Sequence, residues 1–158
     1  MKTKTGVKTE NLIEVAKRLN HVLADEFILY VKTLNAHWNV EGKDFYSMHL
    51  FFEIQYKELI DIIDDVAERI RTLGHYAPAT LSEFKELTHL TEQSRQNNNS
   101  SGFIETLLED HISIIALLRG YTKDMESTLR DTGTNEFLST LIETHEKMAW
   151  KLRSHLFD

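Results

Sequence analysis

Apolar residues recur every three or four positions over most of this chain, which is the spacing of one face of an α-helix. The spacing predicts four long helices, over about residues 9–39, 44–74, 103–130 and 134–156. Asp44 and Thr134 are the expected N-caps of the second and fourth helices, because each side chain has an oxygen that can accept a hydrogen bond from a free helical amide. The most regular core stripe belongs to the second helix and consists of Met48, Phe52, Gln55, Leu59, Ile62, Val66, Ile70 and Leu73.

A polar stretch over residues 75–102 separates the second helix from the third. Pro78 near its start and a run of asparagine and serine over 97–101 indicate a connection rather than a member of the bundle. Thr80 and Glu83 have the spacing of a capping box, so we expect a short helix inside this connection. Two short connections and one long crossover are typical of a ferritin-like bundle. The predicted fold is therefore all-α, a ferritin-like four-helix bundle with one long crossover that carries a short extra helix.

Composition restricts the chemistry and the cellular setting. With 158 residues, of which 41% are hydrophobic, we expect one domain over residues 9–158 and a short flexible N-terminal arm over 1–8. The chain has no cysteine, so histidine and carboxylate must supply any metal ligands. A net charge of −7 argues against a protein whose whole surface binds nucleic acid. No signal peptide or membrane span is evident, which predicts a cytoplasmic protein without a membrane partner.

The second helix carries four potential metal ligands on one face: His49, Glu53, Asp64 and Glu68. At about 100° per residue they fall within a sector of roughly 100° that begins about 100° away from the core stripe, so they lie on the flank of the bundle. Glu53 and Asp64 are about 16 Å apart along the helix axis, too far to hold one ion with ligand bonds of about 2 Å. One chain alone cannot close this site.

A second copy of the helix can complete it. The outer pair and the inner pair of these four residues share one midpoint on the helix. A two-fold axis at that midpoint sets the two N-terminal ligands of one chain against the two C-terminal ligands of its neighbour. This arrangement gives two symmetric metal sites per dimer, with nitrogen and oxygen ligands suited to iron, manganese or zinc. Spacing alone leaves open the alternative of a solvated helix face with i,i+4 pairs.

The segment over residues 37–74, HWNVEGKDFYSMHLFFEIQYKELIDIIDDVAERIRTLG, closely resembles the signature of the Dps family of mini-ferritins, the DNA-binding proteins from starved cells. Weaker similarity in LSEF at 81–84 and in the ending KMAWKLRSHL extends the resemblance to nearly the whole chain, apart from the N-terminal arm. The resemblance implies a ferroxidase centre for iron, which other divalent metals such as zinc can also occupy. Its ligands would be His37, His49 and Glu53 of one subunit and Asp64 and Glu68 of the two-fold mate. Glu53 is a departure, since the family usually has aspartate there.

The resemblance also implies a function. It predicts a homo-oligomer, a hollow dodecamer built from two-fold dimers, that oxidises Fe(II) with hydrogen peroxide in preference to oxygen. The ferric product would be stored as a mineral in the cavity, which protects the cell and its DNA from oxidative damage. Trp38, beside His37, is expected to be a core or interface aromatic, with the quenching of radicals formed at the metal as its alternative role. Asp131 and Glu136 are the candidates for acidic pores that admit iron at the three-fold axes.

Three alternatives stay open. A maxi-ferritin would carry Glu-x-x-His pairs on two helices of one bundle, whereas this chain has that pattern only at Glu86 and His89, in the polar connection. A DNA-compacting stress protein, with iron chemistry secondary and an association with the nucleoid, would depend on the basic cluster of Lys2, Lys4 and Lys8. The acidic balance predicts weak or absent DNA binding, which a gel shift repeated across salt concentrations would test. The third alternative is a helical scaffold without metal chemistry.

Overall fold

The computed structural model describes residues 5–92 and 97–156, and within these ranges the chain is helical. Its α-helices are α1 (Thr9–Asn39), α2 (Phe45–Thr72), α3 (Leu81–Leu87), α4 (Ser100–Asp124) and α5 (Thr132–Arg153). A π-helical turn, Met125–Leu129, continues α4. The four long helices form a bundle, and the short α3 lies in the crossover between α2 and α4. The predicted all-α ferritin-like bundle is confirmed.

Two helical hairpins make the bundle, since α1 packs along α2 and α4 packs along α5. The stripe predicted for α2 is confirmed at every position, because each side chain that belongs to the stripe, from Met48 to Leu73, is buried. Each fully buried large apolar side chain contributes about 1.5–3 kcal/mol. The repeated burial of this stripe therefore fixes which face of α2 points inward, and with it which face carries the candidate metal ligands outward.

The start of α5 differs from the prediction that Thr134 caps it. The helix begins at Thr132, and the cap is Asp131, whose Oδ1 accepts a hydrogen bond from the Thr134 amide at 3.0 Å. The hydroxyl of Thr134 donates to the other carboxylate oxygen of Asp131 at 2.7 Å. The carboxylate thus satisfies two donors in the first turn, so the cap lies three residues earlier than expected.

The other helix starts are closer to expectation. α4 begins at Ser100 rather than near residue 103, because the Asn99 side chain accepts a hydrogen bond from the Gly102 amide at 2.9 Å. Asp44 occupies the N-cap position of α2 as predicted, although its side chain makes no capping hydrogen bond to the described residues. The predicted capping box that starts α3 is confirmed, with Thr80 and Glu83 bonding reciprocally.

The ends of the chain leave two predictions untested. Residues 1–4 of the predicted N-terminal arm, with Lys2 and Lys4, lie outside the described residues, and Val7 packs partly buried against the core. The arm and the domain boundary after it stay predictions.

Across residues 5–92 and 97–156, none of the helices has the length and apolarity that a membrane span requires. The cytoplasmic location also stays a prediction.

Three ionisable side chains form a hydrogen-bonded chain inside the bundle: Glu26 on α1, His145 on α5 and His111 on α4. Each is at most 1% exposed. The Nε2 atom of His145 donates to Glu26 Oε1 at 2.8 Å, and the Nδ1 atoms of the two histidines lie 2.9 Å apart. The two histidines are hydrogen-bonded core residues. Burial, and secondarily the charge of His145, hold the pKa of His111 well below that of a free histidine.

This depressed pKa predicts a loss of stability in acid. The unfolded chain binds a proton at His111 near pH 6.5, whereas the folded chain does not, so the stabilisation is complete above about pH 6.5 and declines as the pH falls. The free energy of unfolding should fall by at most about 1.4 kcal/mol per pH unit from this group. Urea unfolding at pH 7.5 and 5.5 should show a smaller pH dependence in His111→Gln than in the wild type. His75→Gln, at a histidine outside the core, is the control, and an equal slope in all three proteins would contradict the account.

Candidate metal centre

The short connection between α1 and α2 brings two histidines together. α1 ends when Val40 turns to an extended conformation, with φ −62° and ψ 137°. Gly42 then adopts φ +133°, a backbone conformation that favours glycine, and α2 starts at residue 45. The Glu41 amide donates to the Asn98 carbonyl at 2.8 Å, which ties this connection to the end of the crossover. His37 in the last turn of α1 therefore lies beside His49 near the start of α2.

The two rings hold one another in place. They stack with their centroids 3.8 Å apart and their planes inclined by 21°. The Nδ1 of His37 donates to the His49 carbonyl, and the Nδ1 of His49 donates to the His37 carbonyl, both at 2.8 Å. The His37 carbonyl is available because it lies in the last turn of α1, where carbonyls lack a helical partner.

This arrangement fixes the tautomers. A carbonyl only accepts hydrogen bonds, so each Nδ1 carries the proton, and each neutral ring has its lone pair on Nε2. Among the described residues, neither Nε2 has a hydrogen-bond partner. Metal-binding histidines commonly donate their other ring N–H to a carbonyl in this way. This geometry leaves the Nε2 atoms of His37 and His49 suited to donate to a metal ion.

Glu53 lies one turn after His49 on α2. The Lys57 ammonium forms an ion pair with its Oε1 atom. The hydrogen bond and charge of Lys57 lower the pKa of Glu53, and His37 and His49 add smaller contributions in the same direction. Both rings thus lie within electrostatic range of this carboxylate. In the single chain, Lys57 holds the Glu53 carboxylate.

The remaining predicted ligands lie elsewhere. Asp64 and Glu68 are exposed further along α2, and neither has an ion-pair or hydrogen-bond partner among the described residues. Within 5–92 and 97–156 of one chain, no three histidine, cysteine or acidic side chains converge as metal ligands do. The structure brings the two histidines together and puts Glu53 nearby, but it does not bring Asp64 and Glu68 to them. The five-residue ligand set stays a prediction, and it requires a second chain.

The other predicted functional residues occupy varied positions. Trp38 is 68% exposed beside the histidine pair. Asp131 is buried as the cap of α5 and lies 3.4 Å from Arg69, whereas Glu136 is exposed in the following turn. An acid that satisfies a helix start and an arginine has fewer free oxygens for a passing cation. The radical-quenching and pore assignments stay predictions.

Sequence reasoning missed two neighbours of the site. Lys57 could have been found from its i,i+4 spacing to Glu53. Tyr56 lies edge-on to His37, with ring centroids 5.2 Å apart. No local spacing indicates that contact, because it depends on how α1 packs against α2.

Comparison with known proteins identifies the class. The family model described as ferritin-like domain matches residues 16–158. The chain is 34% identical over 141 residues to the DNA protection during starvation protein of Helicobacter pylori, covering 87% of this chain and 95% of that protein. It is 38% identical over 151 residues to an uncharacterised low temperature-induced protein of Nostoc, covering 96% and 84%.

Solved structures give the same result. DpsC from Streptomyces coelicolor superposes with a TM-score of 0.94 at 29% identity, covering all of this chain and 92% of that one. A Dps protein from Vibrio cholerae, described as a ferritin-like diiron-carboxylate protein, gives 0.92 at 27% identity, covering 98% and 96%. The chain belongs to the ferritin-like family and, within it, to the Dps mini-ferritins.

The ion pair at Glu53 predicts that Lys57 weakens metal binding. Lys57→Gln frees the carboxylate and removes a positive charge beside the cation, so we expect Zn²⁺ to bind about two- to tenfold more tightly. Isothermal titration calorimetry on the assembled protein measures this affinity. Lys17→Gln, which breaks a comparable exposed pair with Glu14 on α1, is the matched control. Unchanged or weaker zinc binding in Lys57→Gln would show that the lysine does not compete for the site.

Proposed function

We propose that this protein is a mini-ferritin that oxidises Fe(II) at sites shared between two subunits and stores the Fe(III) product as a mineral. Each site takes His37, His49 and Glu53 from one subunit and Asp64 and Glu68 of the partner subunit. The observation that carries the proposal is the His37–His49 pair, in which reciprocal hydrogen bonds leave both Nε2 lone pairs available. Membership of the Dps proteins supports iron storage and protection against stress as the general role.

The donor set suits the reaction. Imidazole nitrogen binds Fe(II) well, whereas carboxylates stabilise Fe(III) more than Fe(II) and so favour its oxidation. Glu53 replaces the aspartate that the family resemblance leads one to expect, and it keeps the charge on a longer side chain. Its ion pair with Lys57 must open when iron binds. Because exposed pairs of this kind contribute little to stability, we expect this exchange to leave activity intact.

Hydrogen peroxide is the proposed oxidant in preference to oxygen. Two Fe(II) ions each give one electron to one peroxide molecule, and two protons complete the formation of two waters. Because both electrons are delivered together, no hydroxyl radical needs to leave the site. The absence of cysteine fits repeated exposure to peroxide, since the most readily oxidised side chain is missing.

The exposed apolar side chains of α2 support a two-fold pairing of this helix. Tyr46, Leu50 and Ile54 are 74%, 40% and 59% exposed, and they follow the same part of α2 as His49 and Glu53. Clustered apolar residues on the surface of a single chain are typical of a protein interface. We propose that they pack against a second copy, that the dimers assemble into a hollow dodecamer, and that the cavity holds the mineral.

Protection of DNA belongs to the proposed role, but direct DNA binding is proposed to be weak or absent. The net charge is −7, and in the described part of the N-terminal arm the only lysine is Lys8, which is exposed. Neutralising few phosphates gives little affinity at physiological salt. Protection by removal of iron and peroxide needs no contact with DNA. A cytoplasmic location is proposed, with the nucleoid a site of association only if DNA is bound.

Anaerobic loading of the apo protein with Fe(II), followed by stoichiometric hydrogen peroxide, tests the proposal. Ferric absorbance should rise rapidly in the wild type, faster than with an equal amount of oxygen. The double variant His49→Ala, Asp64→Ala should oxidise iron at least about tenfold more slowly, because each site loses one ligand from each chain.

The matched control is His75→Ala, Asp65→Ala, which removes the same residue types from positions off the predicted ligand set. This control should oxidise iron like the wild type. If the wild type and both double variants react at one slow rate, the ligand stripe is structural and the proposed ferroxidase site is wrong.

A further inference from the structure

A second constellation of reactive groups lies away from the candidate metal centre. Asp25 on α1, His89 in the crossover and Ser113 on α4 form one hydrogen-bonded chain. His89 Nδ1 lies 2.7 Å from Asp25 Oδ2, and His89 Nε2 lies 2.8 Å from Ser113 Oγ. Asp25 is twelve residues before His37, about 18 Å along α1, so the two sites are separate. The order of the groups, carboxylate to imidazole to hydroxyl, is that of a catalytic triad.

The environment of Asp25 fixes the proton positions. Its carboxylate is fully buried and accepts three hydrogen bonds, from the Thr88 hydroxyl at 2.7 Å, the His89 amide at 2.9 Å and the His89 ring. A carboxylate that only accepts requires the proton of the neutral His89 ring to lie on Nδ1. Nε2 then has the lone pair, so the Ser113 hydroxyl donates to it. His89 is thereby placed as a base for Ser113.

The base is open to a reagent while the acid is not. The His89 side chain is 37% exposed, whereas the Asp25 side chain is inaccessible. The other charged groups nearby, Lys32 on α1 and Asp110 on α4, pair with one another at 2.5 Å. Lys32 also donates to the Thr91 carbonyl at 3.1 Å, which fixes the segment that carries His89. Hydrogen bonds at Thr88 and Thr91, on either side of His89 in the sequence, therefore hold the segment that carries the ring.

We propose that Ser113 is an activated nucleophile that accepts acyl groups from activated esters. The Ser113 oxygen forms a bond to the acyl carbon while its proton moves to His89 Nε2, and Asp25 stabilises the resulting imidazolium. The ester C–O bond breaks, the leaving oxygen takes the electron pair, and His89 returns the proton to that oxygen or to water. The product is an acyl ester on Ser113. Asp25 acts as a positioning residue because it works through His89.

The position of Ser113 in α4 limits the rate of its acylation. Ser113 lies in the middle of α4, where its own amide is bonded within the helix and provides no oxyanion hole. Loss of a single oxyanion-hole donor typically costs about 10²–10³ in rate. We therefore expect slow acylation and slower hydrolysis of the acyl group. The site should be seen as one persistent acyl group per chain rather than as rapid turnover.

Treatment of the intact assembled protein with p-nitrophenyl acetate, followed by peptide mass spectrometry, tests this inference. Acetylation of Ser113 should be at least about 100-fold faster than acetylation of Ser139 in the same chain, in line with the contribution of a general base. Ser139 is the internal control because it is also within a helix, but its hydroxyl donates to the Asn135 carbonyl at 2.8 Å. Ser113→Ala should lose the modified peptide and retain iron oxidation.

The Asp25→Asn variant tests whether Asp25 positions His89 as a base or only forms a hydrogen bond with it. The amide nitrogen of asparagine donates to Nδ1 and moves the ring proton to Nε2, so His89 can no longer accept the proton of Ser113. Acetylation of Ser113 should fall by about 100-fold or more. His89→Gln removes the base at a more exposed position and gives the same test if Asp25→Asn does not assemble. Equal acetylation of Ser113 and Ser139, or acetylation of Ser113 unaffected by both variants, would overturn the proposal.

Discussion

The rigidity of α2 is the constraint on which the functional arrangement depends. A helix rises about 1.5 Å per residue, so ligands eleven residues apart on one helix cannot bend toward a common ion. The buried stripe from Met48 to Leu73 prevents the helix from rotating to hide its ligand face. The result is a chain that presents two ligands of the proposed metal site near one end of α2 and the other two toward the opposite end. Only a second copy in antiparallel register can join complementary halves.

α1 organises the rest of the molecule through buried polar side chains, each directed to a different partner. Asp25 fixes the crossover through His89, and Glu26 reaches His145 on α5. Lys32 pairs with Asp110 on α4, and His37 exchanges hydrogen bonds with His49 on α2. Because a buried polar group is costly unless it is paired, these contacts specify the register of α1 against its neighbours. The histidine pair is thus one of several polar contacts that align the bundle.

The fold could be predicted because it depends on patterns that are local in sequence. The heptad-like stripe gave the limits of α1 and the inward face of α2, and Thr80 with Glu83 gave the start of α3. The wrong N-cap at Thr134 has a simple cause. Asp131 and Thr134 both have capping side chains, and tertiary pairing of Asp131 with Arg69 favours the earlier residue.

The site could be predicted only in part. The position of His49, Glu53, Asp64 and Glu68 on one face of α2 follows from helical periodicity, but the proposed pairing of these residues with a second chain depends on assembly. The mutual orientation of His37 and His49 depends on the path of residues 40–44, which periodicity does not describe. His89 illustrates the same limit, since the sequence indicates only that it lies in the polar connection between the second and third helices. His89 is partly exposed, yet its ring is oriented by Asp25 and Ser113, both of which lie far from it in the sequence.

Reassembly of mixed subunits tests the shared site most directly. His49→Ala and Asp64→Ala proteins should each oxidise iron much more slowly than the wild type, because every site lacks one ligand. Dissociated and reassembled together, they form dimers in which one site lacks both ligands and the other is intact, so random pairing should restore about a quarter of the wild-type peroxide-dependent oxidation. A mixture of His49→Ala with Glu53→Ala, two ligands assigned to the same chain, should restore none. No recovery in the first mixture, or equal recovery in both, would contradict a site built from two subunits.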